Sequence, residues 1–454
     1  MAESTIPEKS KDAVLEKRRS EDFSAELAAT NWYHSFELPG GRAIDGFLKL
    51  DELKERWAEF PLPASLRGKR LLDIGSWDGW FTYEAERRGA EVTAVDNVEQ
   101  ENFHYLHREL ASRAEYRVAE VYELADLNLG RFDYTLFLGV LYHLRHPLRA
   151  LEIVCELTTD IAIVDSFIVD DDPRGLIDSP LPWMEFYETT ELSNQIDNWC
   201  GPTLQCLMAL CRSAGFARVE LLNVKHRHAR LACYRHWEPP PKHPKEPAPI
   251  LRITENGRFG DNGINFSTRK EEFMTCWFDL PRAELTRQEL RLEVDGFGVP
   301  CLALRRAEGE RWQANFMLPP GLSRGWRDVR LRAADTAFGN SCRIAIDMPV
   351  EAAGVLIHAV SDGITWNKEA ISFPEEGDAI AVLWTDGLGQ NCDRNNVRVY
   401  CGEQRLKVDF VSGIGEQGSK QVNARIPRRM GPGKTRLHIR CGTERSAEIE
   451  VELK

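Results

Sequence analysis

The chain has 454 residues, 43% hydrophobic and 28% charged, which excludes a disordered chain and is too long for one ordinary domain. Acidic residues outnumber basic ones by 71 to 58, and the formal charge of −13 argues against a dedicated nucleic-acid binder while leaving a local basic groove open. No run approaches the ~20 uninterrupted apolar residues of a membrane span.

Residues 1–22 are charged and lack a sustained apolar period, so they are expected to form a mobile N-terminal arm. They also lack a signal-peptide core, which predicts a cytoplasmic protein with no membrane contact. From 23 to 237 apolar runs alternate with helical patterns, the order of βα units. The predicted strands are Arg70–Ile74, Glu91–Asp96, Glu115–Val118, Phe132–Leu138, Ile161–Phe167 and Val219–Val224, with helices over Trp80–Arg88 and Pro147–Glu156. That order predicts a doubly wound, mostly parallel sheet covered by helices. The stretch around Cys200, Cys206 and Cys211 reads as helix. With no C-x-x-C pair and no histidine at ligand spacing among the 11 cysteines, reduced structural thiols and no metal are expected.

The segment 238–249, EPPPKHPKEPAP, predicts a semi-rigid proline-rich linker. Beyond it, short alternating segments separated by Gly, Asp and Asn turns replace helical periodicity. An internal repeat appears there: Gln313-Ala-Asn315-Phe-Met-Leu318-Pro319 returns as Gln421-Val-Asn423-Ala-Arg-Ile426-Pro427, and Gly325 returns as Gly433. Val294-Asp-Gly296 corresponds to Tyr400-Cys-Gly402 after a small register shift. Two tandem immunoglobulin-like sandwiches, 250–349 and 350–454, follow from this pattern and resemble bacterial Ig-like modules of the IPT/TIG sort.

The chemistry concentrates in KRLLDIGSWDGWFTYEAERRGAEVTAVD. A strand ends at Asp73, Gly75 and Gly79 form a D-x-G-x-x-x-G turn into a helix, and a second strand ends at Asp96. Glycine at 75 lets a ligand approach the backbone, Gly79 permits tight packing, and an acid ending the second strand can accept from both ribose hydroxyls. A dinucleotide site wants a middle glycine to admit a pyrophosphate. Here Ser76-Trp77-Asp78 stand in that place, and their bulk suits a nucleoside without phosphates.

These motifs resemble those of class I S-adenosylmethionine-dependent methyltransferases. Phe132–Leu151, FDYTLFLGVLYHLRHPLRAL, with the flanking NWYHSFELPGG and NWCGPTLQCLMALCRSAGF, is similar to the tRNA wobble-uridine (5-methoxyuridine/5-carboxymethoxyuridine) methyltransferase family. The resemblance spans roughly 31–230 and implies a Rossmann-like domain binding S-adenosylmethionine. It places Asp73, Gly75, Trp77 and Gly79 at the cofactor, Asp96 on the ribose, Glu120 and Val121 at adenine, and Leu138 and Gly139 at the amino acid moiety. Tyr142 aligns with a tyrosine that reaches the transferred group. The tRNA enzymes pair a carboxylated cofactor with a lysine in the N-terminal element, and here Trp32-Tyr-His-Ser-Phe36 holds none. Arg227 or Arg230 is the available replacement, and ordinary methyl transfer is favoured over carboxymethyl transfer.

His143, just past a strand end, is the preferred general base, ahead of His34 and His146, with a structural histidine as the alternative in each case. The Asp170–Asp172 run is expected to be a solvated loop. Arg174, Trp183, Glu185, Tyr187 and Trp199, in a long aromatic loop, are expected to line an acceptor pocket or a lid, with packing of Trp183 and Phe186 onto the sheet as the alternative, and Tyr33 and His34 are further acceptor-binding candidates. The expected activity is methyl transfer to oxygen or nitrogen of a small molecule or glycan. Wobble-base modification of tRNA and a non-catalytic scaffold are the alternatives, and the Ig-like modules are expected to mediate dimerisation or partner binding.

Overall fold

The computed structural model describes residues 31–170, 181–244, 246–257, 263–269, 271–415 and 417–454, so the predicted arm at 1–22 and Arg174 lie outside the described residues. Two compact units form: one comprises the residues up to Met208 with Glu220–Ala232, the other Ala209–Val219 with Cys233–Lys454. No described helix is long and apolar enough to cross a membrane.

The first unit opens with a small hairpin, β1 (Phe36–Leu38) and β2 (Arg42–Ile44), and helix α1 (Leu50–Ala58). Then follow β3 (Arg70–Ile74), α2 (Trp80–Arg87), β4 (Glu91–Asp96), α3 (Glu101–Glu109), β5 (Glu115–Val118), β6 (Phe132–Leu138), α4 (Pro147–Leu157) and β7 (Thr158–Phe167). A second hairpin, β8 (Met184–Phe186) and β9 (Cys200–Pro202), precedes α5 (Leu204–Ser213), β10 (Arg218–Lys225) and β11 (His228–Tyr234). The sheet order is β10-β11-β7-β6-β3-β4-β5, with parallel pairing from β7 through to β5. Its core strands are fully buried, as LLDI in β3 and TAVD in β4 require of a sheet covered on both faces. Chain order reverses at β3, whose neighbours are β4 on one side and β6 on the other. The crevice at the carboxyl ends of these strands is therefore where a doubly wound sheet takes its ligand.

Three elements differ from expectation. Cys200 lies in β9, not in a helix, because Gly201 and Pro202 bar helix until Leu204. Strand β7 begins three residues early because α4 runs straight into it. And β11 was not expected at all: it returns from β10 through His226 and Arg227, both left-handed at φ 53° and 61°, the conformation of a two-residue hairpin turn.

From Ile250 onward the second unit is built of strands joined by turns. Its first half contains β12 (Ile250–Asn256), β13 (Asn265–Phe266), β14 (Phe273–Asp279), β15 (Leu290–Val294), β16 (Phe297–Val299), β17 (Cys301–Arg306), β18 (Arg311–Met317), β19 (Gly325–Ala333) and β20 (Ser341–Ile346). Sheets β12-β14-β18-β17 and β13-β20-β19-β15-β16 close over one core that includes Phe278, Leu292, Phe316 and Leu331. The second half contains β21 (Ala352–Asp362), β22 (Ala370–Ile371), β23 (Ala379–Leu388), β24 (Val397–Cys401), β25 (Gln404–Arg405), β26 (Lys407–Val411), β27 (Lys420–Ile426), β28 (Gly433–Cys441), β29 (Glu444–Arg445) and β30 (Ile449–Leu453). Its sheets β21-β23-β27-β26 and β22-β30-β28-β24-β25 enclose Leu383, Val399, Val422 and Ile439.

The sequence repeat is a structural one. Gln313 in β18 faces Trp277 across the sheet, and Gln421 in β27 faces Trp384 at the same place. Gly325 and Gly433 each open the corresponding strand of the other sheet. The register shift has a cause: the β15–β16 turn is Asp295-Gly296, whereas the β24–β25 turn is Gly402-Glu403, so glycine moves from second to first place. The proline-rich stretch 238–249 is fastened within this unit, with Glu238 accepting from Arg291 at 2.8 Å and Glu246 paired with Arg282 at 2.5 Å.

Candidate active site

The turn after β3 is held open by three left-handed residues, Gly75 (φ 75°), Trp77 (φ 51°) and Gly79 (φ 89°). The Gly75 and Ser76 N–H groups donate to Val95 O at 2.8 and 3.2 Å, which presses the turn against the end of β4. A Cβ on Gly79 would lie 2.7 Å from the Phe103 ring, so no larger residue fits this helix start. A Cβ on Gly75 would lie 2.3 Å from Val140 Cγ2, so only glycine lets the turn pack against Val140.

Asp96 faces the same turn. Its Oδ2 accepts from Trp77 N–H at 2.9 Å, and Oδ1 is approached by Val98 N–H at 3.5 Å. Burial raises this carboxyl above its usual range, while the Trp77 and Val98 N–H groups oppose the shift. Hydrogen bonds from the Gln100 side chain and the Asn97 N–H oppose it as well. Asp73 is buried too and pushed up to about 6 by desolvation, with Thr82 Oγ1 donating to it at 2.6 Å. That bond ties the end of β3 to the first turn of α2.

Asp78 is a site-building residue that sequence reasoning passed over. It is fully buried, its Oδ2 accepts from the Tyr33 and His34 N–H groups at 2.9 and 3.0 Å, and its Oδ1 pairs with His34 Nδ1. His34 is thereby locked as a brace between the upstream element and the glycine turn. Tyr33, by contrast, is exposed, stacks on Phe47 and meets Trp77 edge-on at 6.1 Å, so these three rings form an aromatic rim.

On the other side of the crevice β6 ends at Leu138, and Gly139 (φ 74°) donates its N–H to Asp165 O at 3.0 Å. A Cβ on Gly139 would meet only Tyr142 Oη, at 3.7 Å. Tyr142 and His143 lie on the 3-10 turn that follows, where burial raises the Tyr142 phenol above its ordinary value. Glu120 opens another 3-10 turn and closes a capping box with Glu123, while Val121 beside it is buried. Ala119 N–H donates to Asp96 O at 2.9 Å, which places Glu120 and Val121 next to the aspartate.

The hairpin β8–β9 docks over the 3-10 turn through Trp199 N–H, which donates to Tyr142 O at 2.8 Å. Trp199 lies under the Arg145 guanidinium, 3.9 Å from ring centroid, and Tyr187 donates to Glu185 at 2.9 Å. Trp183 O accepts from the Thr203 N–H and hydroxyl at 3.0 and 3.1 Å. His143 Nδ1 lies 3.1 Å from Asp197 O in the same loop, and His146 donates its N–H to Tyr122 Oη at 3.0 Å. Of the acidic run, Asp170 is described, and it accepts from Leu204 N–H at 2.6 Å at the start of α5.

Residues 47–183 match the family model described as a methyltransferase domain. The chain is 32% identical over 135 residues to a ubiquinone biosynthesis O-methyltransferase of Bordetella avium, covering 29% of this chain and 53% of that one. It is 23% identical over 176 residues to a tRNA U34 carboxymethyltransferase of Pseudomonas fluorescens, covering 37% and 52%. The chain thus spans about half the length of the curated relatives it matches. Among solved structures, the N-terminal domain of EvdMO1 with SAH bound shares 22% identity and a TM-score of 0.37, covering 48% of this chain and 95% of that one.

The cofactor of this domain family is S-adenosylmethionine, and the residues of the crevice fit it. Among the described residues Ser76 Oγ is buried without a hydrogen-bond partner, an orphan polar atom at the turn. Gly139 leaves open space where a side chain would intrude, and Asp96 sits between the glycine turn and Ala119. Behind the crevice of the first unit lies a buried charge cluster. Asp165 Oδ2 pairs with Arg230 at 3.1 Å, Arg230 pairs with Glu59, and Asp165 Oδ1 bonds His228 Nδ1 at 2.8 Å. Burial alone would raise the Asp165 carboxyl, but the His228 hydrogen bond and the Arg230 charge outweigh it and hold it below the usual range. Sequence reasoning missed this cluster because Asp165, His228 and Arg230 come from adjacent strands without any motif.

Proposed function

We propose that the chain is an S-adenosylmethionine-dependent methyltransferase that methylates oxygen or nitrogen of a modest-sized acceptor such as a sugar, glycan or secondary metabolite. The observation that carries this reading is Asp96, which accepts from Trp77 N–H inside the glycine turn and so faces the crevice at the sheet's switch point. Bound S-adenosylmethionine supplies an electrophilic methyl group on a sulfonium that is its own leaving group. In this reading Asp96 holds the ribose, Gly75, Trp77 and Ser76 line the nucleoside, Glu120 and Val121 flank the adenine, and Leu138 and Gly139 bound the amino acid end. Asp73 and Gly79 keep the turn in shape. Tyr142 and His143 orient the acceptor, the β8–β9 hairpin with Trp183, Glu185, Tyr187 and Trp199 covers it, and the Tyr33 rim admits a flat or sugar-like ring.

Carboxymethyl transfer to tRNA is the second reading, favoured by the relatives of that name. Against it, Arg230 is already engaged by two carboxylates, and the upstream element brings His34 and no lysine. The two β repeats are proposed to be Ig-like modules that dimerise the enzyme or present its acceptor.

Mass spectrometry separates these readings. The full chain is incubated with equimolar S-adenosylmethionine and its carboxylated analogue, then desalted. Retention of S-adenosylmethionine is expected. Preferential retention of the carboxylated form would favour the tRNA reading, and retention of neither would favour a scaffold.

A further inference from the structure

We propose that His228, oriented by the buried Asp165, is the general base that takes the proton from the acceptor. This rests on the methyltransferase reading and deepens it.

The ionised Asp165 carboxylate can only accept, so His228 Nδ1, 2.8 Å from Oδ1, carries the proton of a neutral imidazole. The lone pair is therefore on Nε2, which has no hydrogen-bond partner among the described residues. Asp165 is nearly inaccessible, with its side chain 6% exposed, whereas the His228 side chain is 34% exposed. The ring is thus anchored from within and open on its far edge. Tyr142 and Phe167 hold it edge-on, at 5.7 and 6.3 Å between centroids. Both partners belong to the site: Asp165 O accepts from Gly139 N–H at the end of β6, and Tyr142 lies over the space in front of Gly139.

The other histidines are less well placed. His34 is buried and paired with Asp78. His143 bonds the backbone carbonyl of Asp197, whose carboxylate is 68% exposed, and so lacks a buried anion to stabilise the imidazolium. Asp165 supplies that anion, and Arg230 keeps it ionised.

The step balances without a further reactant. The acceptor oxygen or nitrogen forms a bond to the methyl carbon while the carbon–sulfur bond breaks and its electron pair goes to sulfur, turning sulfonium into thioether. The acceptor proton moves to His228 Nε2, and water later removes it from the imidazolium.

Nitrogen-15 NMR of the full chain, with the His228 signal assigned from His228→Gln, tests the poise directly. The neutral ring is expected to be protonated at Nδ1 with Nε2 bare, and Asp165→Asn is expected to abolish that preference. A ring protonated at Nε2 in the wild-type chain would overturn the proposal. In transfer from labelled S-adenosylmethionine to a panel of phenols and hexoses, His228→Gln is expected to lower kcat at least ~100-fold. KM for the cofactor should stay within about twofold, since the dyad acts on the acceptor. Added imidazole should partly restore His228→Ala, whereas turnover kept within about threefold by His228→Gln would overturn the proposal. Failure of the wild-type chain to bind S-adenosylmethionine in calorimetry would instead remove the methyltransferase reading, a result distinct from either tautomer.

Discussion

Asp96→Ala is expected to lower the affinity of the full chain for S-adenosylmethionine by at least ~100-fold, measured by calorimetric titration. Two losses combine. The ribose hydroxyls lose a charged acceptor, and a hydrogen bond to a charged group contributes roughly 1.5–3 kcal/mol. The glycine turn loses its clasp as well, because Asp96 Oδ2 accepts the Trp77 N–H at 2.9 Å. Trp77 sits at φ 51°, where a bulky residue is strained and persists only when its surroundings impose it. Asp96→Asn keeps a carbonyl oxygen for Trp77 and should retain more of the affinity than the alanine variant. Equal affinity in wild type and Asp96→Ala would show that the aspartate does not hold the nucleoside.

Arg230→Ala is expected to destabilise the first unit by about 3–5 kcal/mol, the usual cost of removing one partner from a buried ion pair. Asp165 would be left buried without its cation, and Glu59 would lose its partner. Native-state hydrogen exchange on peptides from β6, β7 and β11 reads this locally and separates it from the second unit. The double variant Arg230→Met with Asp165→Asn should recover most of the loss, since it removes the orphan charge together with its partner. The pH sign is fixed by the direction of the Asp165 shift. Its carboxyl is depressed in the folded chain, so its contribution is present above the ordinary carboxylate range and disappears as pH falls through the lower folded value. The difference between wild type and Arg230→Ala should therefore shrink in acid. A loss under about 1 kcal/mol at neutral pH would mean that solvent reaches the pair and screens it.

The glycine turn of the proposed cofactor site was legible in the sequence because each of its features is local. Asp73, Gly75, Gly79 and Asp96 lie within one strand–turn–helix–strand unit, and apolar runs delimit β3, β4 and β6 to the residue. The β repeat was legible for the same reason: Gln313 and Gln421 recur within a short pattern that alternates with strand period. The cluster of Asp165, His228 and Arg230 was not, since these residues converge only through the sheet. Strand β11 returns through His226-Arg227, a left-handed turn built without Gly, Asn or Asp, so no turn signal marks it. Without β11 there was no way to place His228 and Arg230 beside Asp165. His34 read as a candidate base because its partner Asp78 lies 44 residues away.

The central claim is that the crevice between the glycine turn and Gly139 holds a sulfur nucleoside clasped by Asp96. Crystallisation of the full chain with S-adenosylhomocysteine tests it most directly. The ribose hydroxyls are expected within hydrogen-bond distance of the Asp96 carboxylate, with the amino acid end against Gly139. Ligand bound elsewhere, or a crevice that stays empty at saturating concentration with Asp96 bonded only to the turn, would contradict the account.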